Sequence, residues 1–248
     1  MRVTFLGTGS AMPTPDRHQT GILLEANDRH LLVDCGAGVL HRLAGTDAGY
    51  EGVGTVLLTH HHLDHVNDLL ALLKARWLAG EEHLEVVGPA GTKELLDGLL
   101  DIHDYLQERV DLAVREVGEH GFEVAGFDVE AHRTRHSMDC LAYRFAHDEA
   151  DGEFTFSGDS EAFEGLISFA DGSAVLAHDC SFPDGIDVSN HPTPSELGAV
   201  LAGADIGRVY LTHLYPHVDG EREAMIASLG ERYDGDVRFA SDGHSFEL

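Results

Sequence analysis

The chain has 248 residues, enough to bury a substantial core without disulfides, and we expect one domain spanning residues 1–248. Three cysteines exclude a disulfide scaffold and suit a reducing cytoplasm, and no run approaches the roughly 18 apolar residues of a membrane span. Only 16 Lys and Arg stand against 44 Asp and Glu, so the net charge of -28 disfavours nucleic-acid binding, which needs a basic face. Because the acids are spread evenly along the chain, the composition predicts a halophilic, cytoplasmic protein that works at high salt.

The first half of the chain is mostly short apolar strands separated by glycine turns. Helical spacing of apolar residues interrupts them in three places. Strands are predicted at Arg2–Leu6, Gly21–Glu25, His30–Val33, Val53–Thr59 and Glu85–Val87. Helices are predicted at Asn67–Leu78, Thr92–Leu100 and Asp104–Val110.

In the second half, strands and helices alternate more regularly. Short strands are predicted between residues 111 and 129, and then at Leu141–Phe145, Phe154–Phe156, Ala174–Ala177, Arg208–Leu211 and Val237–Ala240. Helices are predicted at Glu161–Phe169, Thr193–Ala202 and Arg222–Leu229, with Thr193 and Ser195 as candidate caps of the second. No linker rich in Pro or Ser divides the chain, so the order of elements predicts a layered α/β domain.

The segment from Thr59 to His65 is the clearest chemical signal, with the sequence Thr-His-His-His-Leu-Asp-His. It follows an apolar strand, and alternate side chains of an extended segment share a face, so His60 and His62 point the same way. Asp64 and His65 come just after the turn and can reach a second point close by. This spacing therefore predicts two adjacent metal ions.

Two metal ions need more ligands than this segment supplies, and three other positions have suitable side chains. Each lies at the end of an apolar run or at a sheet edge, where α/β proteins build their sites. The candidate metal ligands are His60, His62, Asp64, His65, His136, Asp159 and His213. Nitrogen and carboxylate ligands without a thiolate favour zinc, with manganese or iron as alternatives.

The motif His-x-His-x-Asp-His at residues 60–65 resembles that of the metallo-β-lactamase superfamily. Three other segments stand in the order typical of that family: the glycine loop at residues 7–10 before the motif, and Ser157-Gly158-Asp159 and Leu211-Thr212-His213 after it. The resemblance is strongest to the ribonuclease Z-like branch and to phosphoribosyl cyclic phosphodiesterase. It implies a four-layer αββα sandwich with two divalent metal ions at one edge. One ion would be held by His60, His62 and His136, the other by Asp64, His65 and His213, and Asp159 would bridge them.

The same resemblance supplies the candidate catalytic residues, Asp64 and His191. His191 precedes His213 by 22 positions, as a general acid does in the ribonuclease Z-like branch. An imidazole with a pKa near neutrality can protonate an alkoxide leaving group, a role that metal ions do not fill. We expect Asp179 to orient His191, and Asp34 and Asp242 to support ligand histidines.

Two departures from the ribonuclease Z pattern bear on the substrate. That enzyme carries a long tRNA-gripping arm between its third ligand and its bridging Asp, whereas Asp159 here follows His136 by only 23 positions. In addition, Ala37-Gly38-Val39 replaces the Glu-Gly-Thr-Gln that the tRNA enzyme would show. The sequence therefore favours a phosphodiesterase that uses a metal-bridging hydroxide on a small or cyclic nucleotide-like substrate.

Three other functions stay open at this point: a ribonuclease Z-type tRNA 3′ endonuclease, another hydrolase of the same fold that acts on esters, thioesters, lactones or sulfate esters, and a non-catalytic binding module. The acidic composition disfavours nucleic acid as a partner, although molar salt already weakens phosphate contacts. The chain offers no membrane span, and a homodimer is compatible with the sequence.

Overall fold

The computed structural model describes residues 1–186 and 188–248, which form two seven-stranded mixed sheets packed face to face with helices outside both. The strands of the first sheet are ordered β14-β1-β2-β3-β4-β5-β6, and those of the second β13-β12-β11-β10-β9-β8-β7. The first sheet contains β1 (Arg2–Gly7), β2 (Gly21–Ala26), β3 (Arg29–Val33), β4 (Thr55–Leu57), β5 (His83–Gly88), β6 (Asp111–Glu116) and β14 (Ser245–Glu247). The second contains β7 (Phe122–Val124), β8 (Phe127–Arg133), β9 (Leu141–Ala146), β10 (Phe154–Phe156), β11 (Val175–Asp179), β12 (Arg208–Thr212) and β13 (Val237–Phe239).

Helices cover the outer face of each sheet. The helices are α1 (Val39–Leu43), α2 (Leu63–Val66), α3 (Leu69–Ala79), α4 (Thr92–Ile102), α5 (Glu164–Ala170), α6 (Pro194–Leu201) and α7 (Arg222–Gly230). Side chains of α1, α3 and α4 pack on the first sheet, and those of α5, α6 and α7 pack on the second. No helix in the described part of the chain is long and apolar enough to cross a membrane.

Period-2 alternation in buried strands explains why two layers of core form on each sheet. In β3, Leu31 and Val33 face the second sheet, whereas Leu32 between them faces the helices. The core between the sheets includes large aromatic side chains such as Phe5, Phe127 and Tyr143, all fully buried. The predicted four-layer αββα sandwich is confirmed.

Most predicted elements are present, and the differences have local causes. The strand expected over Val53–Thr59 is only Thr55–Leu57. Pairing with β5 ends at the Leu58 amide, and the next amide, that of Thr59, donates to a side chain, Asp34 Oδ1. The helix expected over Asp104–Val110 is a single 3-10 turn, Asp104–Leu106. Sequence patterns missed the short helices α1 and α2 and the last strand β14, which pairs with β1.

In each sheet, antiparallel strands give way to a run of parallel strands, and this arrangement positions the site. Strands β3 to β6 are parallel in the first sheet, and β10 to β13 are parallel in the second. Parallel strands place their carboxyl ends at one edge, where loops can collect polar side chains. The segment after β4 meets those after β10 and β12 at this edge.

Candidate metal centre

Four separate loops bring the predicted ligands together at the edge of the sandwich. The segment after β4 supplies His60 to His65, the turn after β8 supplies His136, and the ends of β10 and β12 supply Asp159 and His213. Three groups of side chains have ligand atoms that all lie within 4.8 Å of one another and could hold a metal ion. Two of them are the predicted ligand sets, and the third joins His191 to Asp159 and His213. The first group is His60, His62, His136 and Asp159, and the second is Asp64, His65 and His213.

The first group has the spacing of a four-coordinate site. His62 Nδ1 lies 3.0 Å from His60 Nε2 and 3.1 Å from His136 Nε2. Asp159 Oδ2 lies 3.6 Å from His60 Nε2 and 3.8 Å from His136 Nε2. Tetrahedral ligands about 2.0–2.1 Å from zinc are roughly 3.3 Å from one another, so the observed distances fit an ion at their centre.

Asp159 also reaches the second group, which makes its carboxylate the common member of the two clusters. Its Oδ1 lies 3.3 Å from His65 Nε2, and its Oδ2 lies 3.3 Å from His213 Nε2. Asp64 Oδ2 lies 3.1 Å from His213 Nε2 and 3.8 Å from His65 Nε2. The carboxylate of Asp159 can therefore bridge two ions.

Two buried polar atoms of the predicted ligands have no hydrogen-bond partner among the described residues. They are His65 Nε2 and Asp159 Oδ1, on side chains that are almost entirely inaccessible to solvent. A buried nitrogen or oxygen without a partner costs free energy, on the order of 1–3 kcal/mol. A divalent cation between these atoms would satisfy both, so the side chains present fit metal binding.

The electrostatics of the centre also favour cations. Burial lowers the pKa of His60, His62 and His136, so these imidazoles are neutral and keep a lone pair for a metal. Burial alone would raise the pKa of Asp159, but the surrounding imidazoles hold it well below its usual range. At His65, burial alone would lower the pKa, but the neighbouring carboxylates of Asp159 and Asp34 raise it well above the usual value.

The buried carboxylate of Asp34 orients one ligand of each group. Its Oδ2 accepts hydrogen bonds from His65 Nδ1 and from the Thr59 hydroxyl, both at 2.8 Å. Because the Thr59 hydroxyl donates its single proton to Asp34, it can only accept from His60 Nδ1, 3.0 Å away. His60 and His65 therefore both carry the proton on Nδ1 and present Nε2 to the clusters.

The predicted partner of His191 is also in place. Asp179 ends β11, is fully buried, and has its Oδ2 2.7 Å from His191 Nδ1. The His191 and His213 rings are stacked, with centroids 5.3 Å apart and an interplanar angle of 14°. Burial alone would lower the pKa of His191, but the charge and hydrogen bond of Asp179 raise it to about 9.

Sequence reasoning was wrong about Asp242 and missed three groups. The Asp242 carboxylate accepts from the Thr8 amide and hydroxyl and from the His18 amide, and it contacts no predicted ligand in the described part of the chain. The missed groups are the hydroxyls of Thr59 and Ser181 and the buried thiol of Cys140, whose Sγ lies 3.6 Å from His60 Nδ1. The sequence did offer a signal for the two hydroxyls: Thr59 directly precedes the ligand His60, and Ser181 lies two positions after Asp179.

Comparison with known proteins bears out the expected fold and branch. A ribonuclease Z from Mycobacterium avium is 30% identical to this chain over 275 positions, covering 100% of the chain and 98% of the relative. The metallo-β-lactamase fold protein YhfI from Bacillus subtilis superposes with a TM-score of 0.85 at 24% identity, covering 100% of this chain and 99% of its own. Human tRNase Z, short form, gives a TM-score of 0.81 at 21% identity, with 100% and 99% covered.

The fold, the paired clusters and these relatives define a metal-dependent hydrolase that acts on ester bonds, in the ribonuclease Z-like branch of the metallo-β-lactamase superfamily. Within that class, the family described as "Anti-Pycsar protein Apyc1" matches residues 1–225, and the chain belongs to this family.

Proposed function

We propose that the protein is a dinuclear-metal phosphodiesterase that hydrolyses a small or cyclic nucleotide-like phosphodiester in the cytoplasm. The observation that carries the proposal is the pairing of His191 with the buried Asp179 directly beside the two metal-ligand groups. Such a pair has a use where a poor leaving group must be protonated, and the alkoxide of an alkyl phosphodiester is such a group.

The ligand side chains divide into the two groups given above, with Asp159 shared. We infer zinc as the metal, because imidazole and carboxylate ligands without thiolate suit it, and manganese or iron would also fit. When bound, two divalent ions supply an activated water at neutral pH and neutralise the charge on the phosphate oxygens. The proposed role of Asp64 is to hold the second ion together with His65 and His213, since its carboxylate lies 3.1 Å from His213 Nε2.

His191 is proposed as the general acid. Its Nδ1 is engaged by Asp179, which leaves Nε2 free, and a ring nitrogen of His191 lies within 4.8 Å of ligand atoms of Asp159 and His213. His191 Nε2 can therefore hold a proton where the leaving oxygen departs. His191 also lies within ligand reach of Asp159 and His213, so metal content must be measured in any His191 variant.

The second candidate is a tRNA 3′ endonuclease, which is favoured by the relatives named ribonuclease Z. The segment between His136 and Asp159 weighs against it, because it contains only β9, the acidic loop at residues 147–153 and the short β10. The alignment to the Mycobacterium avium protein spans 275 positions, so that relative carries insertions that this chain lacks. A strongly acidic protein of this shape offers little to grip a polyanion.

The third candidate is hydrolysis of thioesters by the same fold. A thiolate leaves readily without a proton, so an Asp-supported imidazole beside the metals gives such a reaction little advantage. The presence of the Asp179–His191 pair therefore favours a phosphodiester over a thioester.

A substrate panel at molar KCl tests these alternatives directly. The zinc-loaded protein is assayed on 2′,3′- and 3′,5′-cyclic nucleotides, bis(p-nitrophenyl) phosphate, a thioester, a lactone and a labelled pre-tRNA. We expect the nucleotide phosphodiesters to have the highest kcat/KM. A higher value for the thioester or lactone, or cleavage of the pre-tRNA at its 3′ end as the fastest reaction, would overturn the proposal. His120→Ala, which removes an exposed imidazole on the turn before β7, serves as a control variant.

A further inference from the structure

Ser181 is a fully buried serine two positions after Asp179, and its hydroxyl has several polar neighbours. Ser181 Oγ lies 2.6 Å from Asp179 Oδ1 and 2.9 Å from His213 Nδ1. It also lies 3.0 Å from the His213 carbonyl oxygen and 3.4 Å from His191 Nδ1. Ser181 is neither one of the predicted metal ligands nor the proposed general acid, so its role is still to be explained.

The directions of the hydrogen bonds follow from the number of protons available. If His213 presents Nε2 to the second ligand group, its Nδ1 carries the proton and donates to Ser181 Oγ. The hydroxyl has one proton, and the nearest acceptor is Asp179 Oδ1 rather than the His213 carbonyl. The other oxygen of Asp179 accepts from His191 Nδ1, so a continuous chain runs from His213 through Ser181 and Asp179 to His191.

We propose that Ser181 is a positioning residue that ties the metal ligand His213 to the proposed proton donor His191 through one shared carboxylate. The part that concerns His191 rests on the proposed function, whereas the part that concerns His213 does not. The shared carboxylate and the Ser181 hydroxyl engage the Nδ1 atoms of two imidazoles whose rings lie in nearly parallel planes, which leaves the Nε2 atom of each ring free.

The backbone supports the need for such a tie. His213 adopts φ 56°, a left-handed conformation that a residue with a side chain rarely holds unless its surroundings enforce it. Ser181 holds this residue at its ring nitrogen, where the hydroxyl oxygen accepts from Nδ1. Removing the hydroxyl leaves the buried His213 Nδ1 proton without its acceptor and frees the ring to turn.

The chain offers a matched control at Thr59, which plays the corresponding part for Asp34. Thr59 relays Asp34 to the ligand His60, and the other histidine on Asp34 is also a ligand, His65. Thr59→Val therefore disturbs a ligand without touching the proposed acid, whereas Ser181→Ala disturbs one ligand and the acid together. Ser181→Thr and Thr59→Ser keep the hydroxyl and serve as the conservative variants.

The experiment compares these variants with the wild type as zinc-loaded proteins at molar KCl. Zinc affinity is measured by competition with a chelator, and kcat is measured on a cyclic nucleotide and on bis(p-nitrophenyl) phosphate at saturating zinc. Nitrogen-detected NMR of the imidazoles reports on His191 independently of activity. For Ser181→Ala we expect roughly 10- to 100-fold weaker binding of one zinc ion. We also expect a kcat loss at least about 10-fold larger on the nucleotide than on the nitrophenyl ester.

For Thr59→Val we expect the same loss of zinc affinity with an unchanged ratio of the two kcat values and unchanged His191 resonances. Ser181→Thr should restore both quantities toward wild type. The proposal is overturned if Ser181→Ala binds zinc like the wild type, or if its His191 resonances and its kcat ratio match those of Thr59→Val. If the wild type hydrolyses no phosphodiester, the proposed function fails, and zinc affinity together with the His191 resonances still decides whether Ser181 ties the two histidines.

Discussion

Two buried carboxylates, Asp34 in the first half of the chain and Asp179 in the second, are built to the same plan but serve different ends. Asp34 directly follows β3 and Asp179 is the last residue of β11. Each accepts directly from one imidazole, and each reaches a second imidazole through a hydroxyl. Asp34 binds His65 directly and His60 through the hydroxyl of Thr59. Asp179 binds His191 directly and His213 through the hydroxyl of Ser181. Each carboxylate with its hydroxyl and its two imidazoles is called a fork below, the Asp34 fork and the Asp179 fork.

The two forks differ in what their imidazoles face. His60 and His65 are both completely buried, so the Asp34 fork is closed and can only hold ligands. In the Asp179 fork, His213 is buried, but the side chain of His191 is 13% exposed. The same hydrogen-bonding arrangement can therefore act only as a structural support where both imidazoles are buried. Where one of its imidazoles reaches solvent, it can also present that group to a substrate.

The largest effect on metal content and on kcat is expected from Asp159, whose carboxylate contacts His65 of the Asp34 fork and His213 of the Asp179 fork. Asp159→Ala removes the carboxylate common to both ligand groups, so we expect fewer than two tightly held metal ions and at least about 10³-fold lower kcat. Elemental analysis after dialysis and steady-state kinetics measure the two quantities. Two retained ions with kcat within a few-fold of wild type would show that Asp159 is not shared.

The next effect separates the two arms of the Asp179 fork. His191→Ala should keep both metal ions and the fold while kcat on a cyclic nucleotide falls roughly 10²-fold, because the leaving oxygen departs without a proton. His213→Ala, on the same fork, should instead lose one metal ion. Metal content and circular dichroism of both variants check this, and loss of metal from His191→Ala would make His191 a ligand.

A smaller effect is expected from the closed fork. Asp34→Asn keeps the shape of the side chain but weakens its hydrogen bonds to His65 and Thr59, so metal affinity should fall roughly 10- to 100-fold. At saturating zinc its kcat should recover. Asp179→Asn should not recover in the same way, because its fork also holds the proposed acid. Equal recovery of the two variants would remove the distinction between the forks.

The smallest effect on the centre is expected from salt, although its effect on the whole protein is large. With a net charge of -28, the melting temperature should rise by several degrees or more between 0.05 M and 2 M KCl, since screening shortens from roughly 14 Å to about 2 Å. Buried contacts are screened far less, so the hydrogen bonds of both forks should persist in NMR spectra at either salt. A melting temperature independent of salt would contradict the halophilic prediction.

The sequence predicted the architecture, and the structure brings the seven predicted ligands together at one edge, whereas the hydroxyl groups that support them were not predicted. His60 to His65 form a contiguous motif, and His136, Asp159 and His213 each follow an apolar run, so local patterns were sufficient. The hydroxyl relays could not be found in this way, because the partners of Ser181 include His213, 32 positions away, and only the packing of β11 beside β12 brings them together.

Asp242 shows the same limit from the other side. Like Asp34 and Asp179, it comes just after a short apolar strand, and sequence alone gives no reason to treat it differently. The chain after β13 turns back toward β1, so its carboxylate meets the amides of Thr8 and His18 instead of a ligand histidine. Which strand end faces the metals depends on the strand order of the sheets, which local patterns do not encode.

The central claim is that His191, held by Asp179, protonates the leaving oxygen of a phosphodiester. The most direct test is the dependence of kcat on the leaving-group pKa, measured for the zinc-loaded wild type and for His191→Ala over a series from p-nitrophenyl to alkyl phosphodiesters. The account predicts a shallow dependence for the wild type and a steep one for the variant, with the two rates converging at p-nitrophenolate. Parallel dependences, with the variant slower by the same factor throughout, would contradict it.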